Sequence, residues 1–246
     1  APGPRPPVER LWRIVAKAAI MATGAEERPL VFGGNDRPGV MMAGAMRAYL
    51  NRWAVAPGRR PAIFTNTDAG YALAADLEAA GVEVAAIVDP RAEHRGWAGR
   101  ARLMSGAVVI GTKGGKALSG ITVRTARGEE VIAVDALAMS GGFNPVIALA
   151  CHRGARPVWS ESASAFLAPE VEGMAPAGAA AGVAGLAECL ADGARAAARL
   201  GHAPAAFGAV DGAAGTGQGA PLWAVKEPKG KAFVDFQNDV GLKDLK

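Results

Sequence analysis

The sequence predicts an α/β fold built on a parallel sheet. Three observations carry that expectation: a strand, helix, strand succession over residues 62–88, alternating strands around a short polar turn over 107–134, and a hydrophobic share of 50% in a chain of 246 residues. The first dictates parallel pairing, because a crossover through a helix returns the chain in the same direction and with a right-handed sense. The second supplies an antiparallel meander that covers one face of the sheet. The third is enough apolar material for one large core or two small ones, which excludes a chain disordered throughout.

Residues 18–21 form an apolar run after Lys17 and pass into Ala22-Thr23-Gly24-Ala25, the pattern of a buried strand closed by a tight glycine turn. Arg28-Pro29-Leu30-Val31-Phe32 then leads into the turn-rich stretch from Gly33 to Gly39. Residues 40–53 are unbroken by proline and rich in helix formers, so one helix is expected there. The breaker cluster Pro57-Gly58-Arg59-Arg60-Pro61 precedes the strand Ala62-Ile63-Phe64. Its polar loop Thr65-Asn66-Thr67-Asp68 opens a helix over 69–80, stopped by Gly81, and a second apolar run over 82–88 ends at Asp89-Pro90. By pattern alone this is half of a Rossmann unit.

Further along, residues 107–110, 120–124 and 131–134 read as the meander, and 136–139 as another buried strand turned by Ser140-Gly141-Gly142-Phe143-Asn144-Pro145. Helices are expected over 147–153 and 185–200, the latter with Leu186, Leu190 and Ala197 on one face and Glu188, Asp192 and Arg195 on the other. The Gly- and Ala-rich stretch 201–219 reads as an exposed connection. Alternation resumes at 231–240.

Lys and Arg number 27 against 23 Asp and Glu, and the basic residues are scattered rather than gathered, so no nucleic-acid footprint is expected. Cys151 and Cys189 form no CxxC pair, which excludes a zinc or redox-disulfide motif and fits a reduced, cytoplasmic setting. No run reaches the roughly 18 apolar residues of a membrane span, and the Pro-rich start has no apolar signal core, so no membrane partner is expected. The lack of an initiator Met points to a longer gene product.

A phosphate-binding loop needs glycines where a strand turns into a helix, because the backbone must approach the pyrophosphate and offer its N–H groups. Over Thr65, Asn66, Thr67, Asp68, Ala69 and Gly70 only the last glycine of G-x-G-x-x-G is present, and Asp68 suits a helix cap. A structural turn is the stronger expectation, and a working nucleotide loop stays open because Asp89 stands where a ribose-binding acid would be. His94, His152 and His202 have no carboxylate or cysteine at ligand spacing, the Lys113-Gly114-Gly115-Lys116 loop lies between strands, and Ser160, Ser162 and Ser164 lack a nucleophile setting. No catalytic residue and no metal site emerges.

The order of these elements, with Ala22-Thr23-Gly24 and Ser140-Gly141-Gly142 as matching turns, resembles the two-dinucleotide-binding-domain flavoproteins. There such turns are crossings between a cofactor domain and an inserted pyridine-nucleotide domain. More specifically, ATGAEERPLVFGGNDRPGVMMAGAMRAYLNRW, VDALAMSGGFNPVIALACHRG and KAFVDFQNDV resemble the α subunit of heterotetrameric sarcosine oxidases, over most of the chain. The resemblance implies interleaved Rossmann-like domains: residues 1–56 and 147–246 as the remnant of a FAD-like domain lacking its N-terminal half, and 57–146 as an inserted NAD(P)-binding-like domain.

It also implies a complex that oxidises sarcosine to glycine, with O2 going to hydrogen peroxide and tetrahydrofolate as one-carbon acceptor. NAD would belong to this subunit, with FAD and FMN held mainly through the partner β subunit. The implied cofactor-binding residues are Thr23 and Gly24 at the first turn and Gly178, Ala179, Ala184 and Leu186 at the start of a helix expected from residue 180. Where flavin enzymes of this kind carry Gly-Asp, this chain has Gly178-Ala179; loss of the acid suits NAD, and a close-packed helix start is the competing reading. Two rivals stand beside this one. The α subunits of related opine, hydroxyproline or proline dehydrogenases share the frame but often carry a cysteine-rich iron–sulfur module after the helix at Cys189, and a non-binding scaffold would only dock a partner.

Overall fold

The computed structural model describes residues 9–92, 97–203 and 221–245. In chain order its first elements are β1 (Ala19–Met21), β2 (Ala25–Glu27), β3 (Val40–Met42), α1 (Ala43–Trp53), β4 (Pro61–Thr65), α2 (Ala69–Ala79), β5 (Ala86–Asp89) and β6 (Arg102–Ser105). A meander of β7 (Val108–Gly114), β8 (Leu118–Thr125) and β9 (Gly128–Ile132) leads to β10 (Ala136–Ser140) and β11 (Phe143–Pro145). The remainder comprises α3 (Ala148–His152), β12 (Val158–Ser160), β13 (Ala165–Leu167), β14 (Met174–Pro176), a 3-10 turn (Gly178–Ala181), α4 (Leu186–Arg199), β15 (Phe233–Asp235), β16 (Val240–Gly241) and a final 3-10 turn (Leu242–Leu245).

Five parallel strands form the main sheet in the order β3-β10-β4-β5-β6. Every residue of β4, β5 and β10 is buried, as a parallel sheet covered on both faces requires. Alternation divides their side chains between two cores. Phe64, Val88, Leu137 and Met139 meet Val109, Ile121 and Val123 of the meander, where Phe32 and Phe64 pack edge to face at 5.6 Å. Ile63, Ile87, Ala136 and Ala138 meet Met46 and Leu50 of α1 and Leu73 and Leu77 of α2. The expected crossover unit and meander are therefore both present.

The expected helix over 40–53 begins three residues later. Val40, Met41 and Met42 instead pair in register with Leu137, Ala138 and Met139, and Met42 is extended (ψ 144). Pairing with a fully buried strand outweighs the modest helix preference of these residues. β3 consequently joins the parallel sheet and α1 packs on its face, although both precede residue 57. A carboxylate fixes the start of α1: Glu27 of β2 accepts a hydrogen bond from Gly44 N–H at 2.7 Å, where unpaired amides and the helix dipole favour negative charge.

The chain passes twice through an antiparallel ribbon of β2 and β11. Arg28 N–H donates to the Gly142 carbonyl and Gly141 N–H to that of Arg28, at 2.8 and 2.7 Å. A Cβ on Gly141 would stand 2.8 and 2.9 Å from the carbonyl oxygens of Arg28 and Pro29, so only glycine fits this crossing. Beyond the ribbon, β1 pairs in parallel with β14, over a small cluster containing Met21, Ala150 and Ala180. On α4 the expected apolar face is not buried: Leu186 is 57% exposed, and Ala196 is the helix's one buried residue. Most of the expected connection over 201–219 lies outside the described residues.

Burial raises the pKa of Glu27 more than the hydrogen bonds it accepts lower it. Its protonated form is thus favoured by folding, a contribution fully present below the unfolded carboxyl pKa and lost as pH rises through the raised folded value. Relative to Glu27→Gln, the parent should gain stability as pH falls from 7 towards the ordinary glutamate range. Denaturant melts at a series of pH values check this, and a pH-independent difference would contradict it.

Candidate functional site

Two places can be compared as nucleotide sites. At the first, the loop after β4, Thr65, Asn66 and Thr67 are all buried. Thr65 Oγ1 donates to the Thr67 carbonyl at 2.8 Å and accepts from Thr67 N–H at 3.1 Å, closing the turn on itself. A Cβ on Gly70 would come within 2.5 Å of Thr65 Cγ2, so the one remaining fingerprint glycine serves strand-to-helix packing.

The acids at this loop are committed as well. Asp89 is fully buried and accepts hydrogen bonds from Tyr71 OH at 2.7 Å, from Arg91 N–H at 2.9 Å and from the Arg91 guanidinium at 2.7 Å. Arg91 also pairs with Asp68 at 2.8 Å. Asp68 makes no side-chain cap to α2, contrary to expectation, because its carboxylate is engaged by Arg91. Burial opposes the Arg91 charge, but the hydrogen bonds and charges of Asp89 and Asp68 outweigh it and raise its pKa. Tyr71 is raised chiefly by burial and secondarily by its bond to Asp89. An ionic network thus fills the region where a diphosphate and ribose would lie.

The second place is a cleft of about 540 Å3 between the ribbon and α4. One wall brings Arg28, Thr67, Gly142 and Phe143; the other brings the turn at residues 162–165, Ala179, and the backbone from Gly182 to Leu186. Ala179, Ala184 and Leu186 therefore do meet around one space. Thr23 and Gly24 do not line it: Thr23 Oγ1 donates to the Val146 carbonyl at 2.5 Å, and Gly24 (φ 76) accepts from Val146 N–H at 3.0 Å, so both shape the chain crossing.

The helix start also differs from expectation. Gly178 to Ala181 make a single 3-10 turn, Gly182 (φ 79) breaks it, and α4 begins at Leu186 after Gly185 (φ 90). These two glycines adopt the left-handed region open to glycine, which uncouples the segments. Gly178 N–H donates to Asp192 at 2.8 Å and is not free for an anion. The free amides at this end of the cleft are those of the first turn of α4.

Arg28 carried no motif signal in the sequence. Its Nε donates to the Gly141 carbonyl at 2.9 Å, Nη1 donates to Asn144 Oδ1 and the Ser164 carbonyl, and the guanidinium stacks over Trp223 at 5.4 Å. Cys189 also lines the cleft, with Sγ donating to the Val183 carbonyl and its pKa raised mainly by burial. His152 and His202 are exposed, and His94 lies outside the described residues. The Lys113 loop is the β7–β8 hairpin, whose Gly114 and Gly115 carbonyls accept from Arg37. Among the described residues there is no cluster of three metal-ligating side chains, and no helix is long and apolar enough to cross a membrane.

A covered parallel sheet, a meander on one face and a double crossing into a second nucleotide-type region define the FAD/NAD(P)-binding oxidoreductase fold. Solved structures share it: L-proline dehydrogenase from P. horikoshii matches with a TM-score of 0.54 and 22% identity, over 77% of this chain and 36% of that one. Thioredoxin reductase from T. acidophilum matches with 0.55 and 17%, over 75% and 65%. No family model matches the chain.

The chain is a homologue of sarcosine oxidase α subunits. It is 61% identical to subunit alpha of Rhizobium meliloti (strain 1021) over 97% of its length, and 35% identical to that of Corynebacterium sp. (strain P-1) over 96%. It spans 25% and 27% of those relatives, about a quarter of their length.

Arg91→Met should cost about 3 to 5 kcal/mol of stability, because it leaves the buried Asp89 charge without its guanidinium. Asp68→Asn, at a partly exposed carboxylate, should cost no more than about 1 kcal/mol. Chemical denaturation of the two variants beside the parent makes the comparison, and equal losses would contradict the assignment.

Proposed function

We propose that this chain is a nucleotide-binding portion of the α subunit of a cytoplasmic sarcosine oxidase, and that its cleft holds NAD. The complex would oxidise sarcosine to glycine, reduce O2 to hydrogen peroxide and pass the one-carbon unit to tetrahydrofolate. FAD and FMN would be held mainly by the partner β subunit, away from this cleft. The division we favour places residues 28–142, with the parallel sheet and meander, as the inserted unit, against which residues 222–233 also pack, and residues 9–27 and 143–203 as parts of the NAD-carrying domain.

The observation that carries the proposal is the charge of the cleft. Among the described residues lining it, Arg28 is the one ionic side chain, and no carboxylate or imidazole is present to repel a diphosphate or act as a base for amine oxidation. Small residues at Ala179, Gly182, Ala184 and Gly185 leave backbone accessible, and the α4 amino terminus favours an anion, though Glu188 in its first turn weakens that pull. Gly178 contributes by shaping the turn that presents Ala179. Bound NAD would supply an adenine and a diphosphate to be held; the chain's residues hold and orient, and carry no chemical step.

In the full-length subunit, Ala179→Asp should weaken NAD about tenfold or more, equivalent to about 1.4 kcal/mol, by placing a carboxylate in the cleft. Ala191→Asp, on the exposed side of α4, should leave affinity unchanged. Equilibrium dialysis or calorimetry with NAD makes the measurement. No binding by the parent would favour the scaffold reading, and equal affinities in all three would sink the placement of the site.

A further inference from the structure

We propose that Arg28 recognises the diphosphate of the nucleotide in the cleft, a deepening that rests on the nucleotide reading above. A guanidinium ordinarily reaches a protein interior with a carboxylate partner, since partial desolvation of a lone charge is unfavourable. Arg28 is half-buried, and its acceptors are an amide oxygen and two backbone carbonyls; no carboxylate pairs with it among the described residues. Burial lowers its pKa, with no compensating negative charge.

The group is also held still before any ligand arrives. Nε and Nη1 are tied to three points on the ribbon and on the turn before β13, and Trp223 stacks on the guanidinium plane. Nη2 makes no hydrogen bond among the described residues. It lies against Gly142, where an added Cβ would approach it to 2.8 Å, and both residues line the cleft. A planar cation fixed on one edge and open on the other suits a phosphate oxygen, with little ordering left to be lost on binding. Gly142 (φ 100) keeps that edge clear.

A purely structural Arg28 would need its three hydrogen bonds but not an unbalanced charge, which gives the test two arms. NAD affinity is measured by calorimetry on the assembled complex for the parent, Arg28→Gln and Asn144→Asp, each at low and high salt. Asn144→Asp leaves Arg28 in place and supplies the missing counter-ion at the Nη1 contact. Both variants should bind NAD at least tenfold more weakly at low salt, and both should lose most of the parent's salt dependence. Unchanged affinity in Asn144→Asp, or weaker binding in Arg28→Gln with the parent's salt dependence intact, would overturn the role of Arg28 while leaving NAD binding standing. A parent that binds no NAD would overturn the nucleotide reading itself.

Discussion

The architecture depends on the burial of β10. This strand comes last in chain order among those of the parallel sheet yet lies between β3 and β4, so its hydrogen bonds on both edges are made with residues far behind it in the chain. With apolar side chains on both faces, it needs helices on one side and the meander on the other before it is dry. It also sets where the chain leaves. Immediately after Ser140, Gly141 is pressed against the backbone of Arg28 and Pro29, and the ribbon of β2 and β11 begins. The cleft opens at this seam, and its Arg28 is oriented by carbonyls that the crossing itself provides.

Electrostatics distinguishes the two candidate sites more clearly than shape does. Around the loop after β4, two carboxylates hold one guanidinium at short range and leave no positive charge in excess, and the hydroxyl of Tyr71 donates to one of them. In the cleft a cation of the same kind has only neutral partners. The same kind of cation is thus outnumbered by acids in one place and faces none in the other, and an anionic ligand gains more from the second.

Much of the fold was legible because periodicity is local. The crossover over β4, α2 and β5 and the three-stranded meander both announce themselves in runs of alternating or continuous apolar residues. What escaped depends on distant partners: Val40 to Met42 look helical until Leu137 to Met139 are placed beside them, and the apparent apolar face of α4 is only partly covered by the described residues, with Leu186 exposed and Leu190 and Ala197 half-buried. The cleft was half legible. Ala179, Ala184 and Leu186 follow from the family resemblance, while Gly182 and Gly185 are themselves a readable sign that no single helix runs through that stretch. Arg28 was not legible at all, since its singularity is the absence of an acid that only the folded arrangement reveals.

The Asp68, Arg91 and Asp89 bridge has a thermodynamic corollary for the sheet unit. A nucleotide-binding domain commonly draws part of its stability from occupancy, so its folding free energy tracks ligand concentration. At the loop after β4 the partners are instead groups of the chain itself, two carboxylates and a guanidinium whose effective concentration is set by the fold. The bridge itself therefore persists whatever the cofactor supply, and it responds instead to ionic strength, which screens its more exposed arm between Arg91 and Asp68.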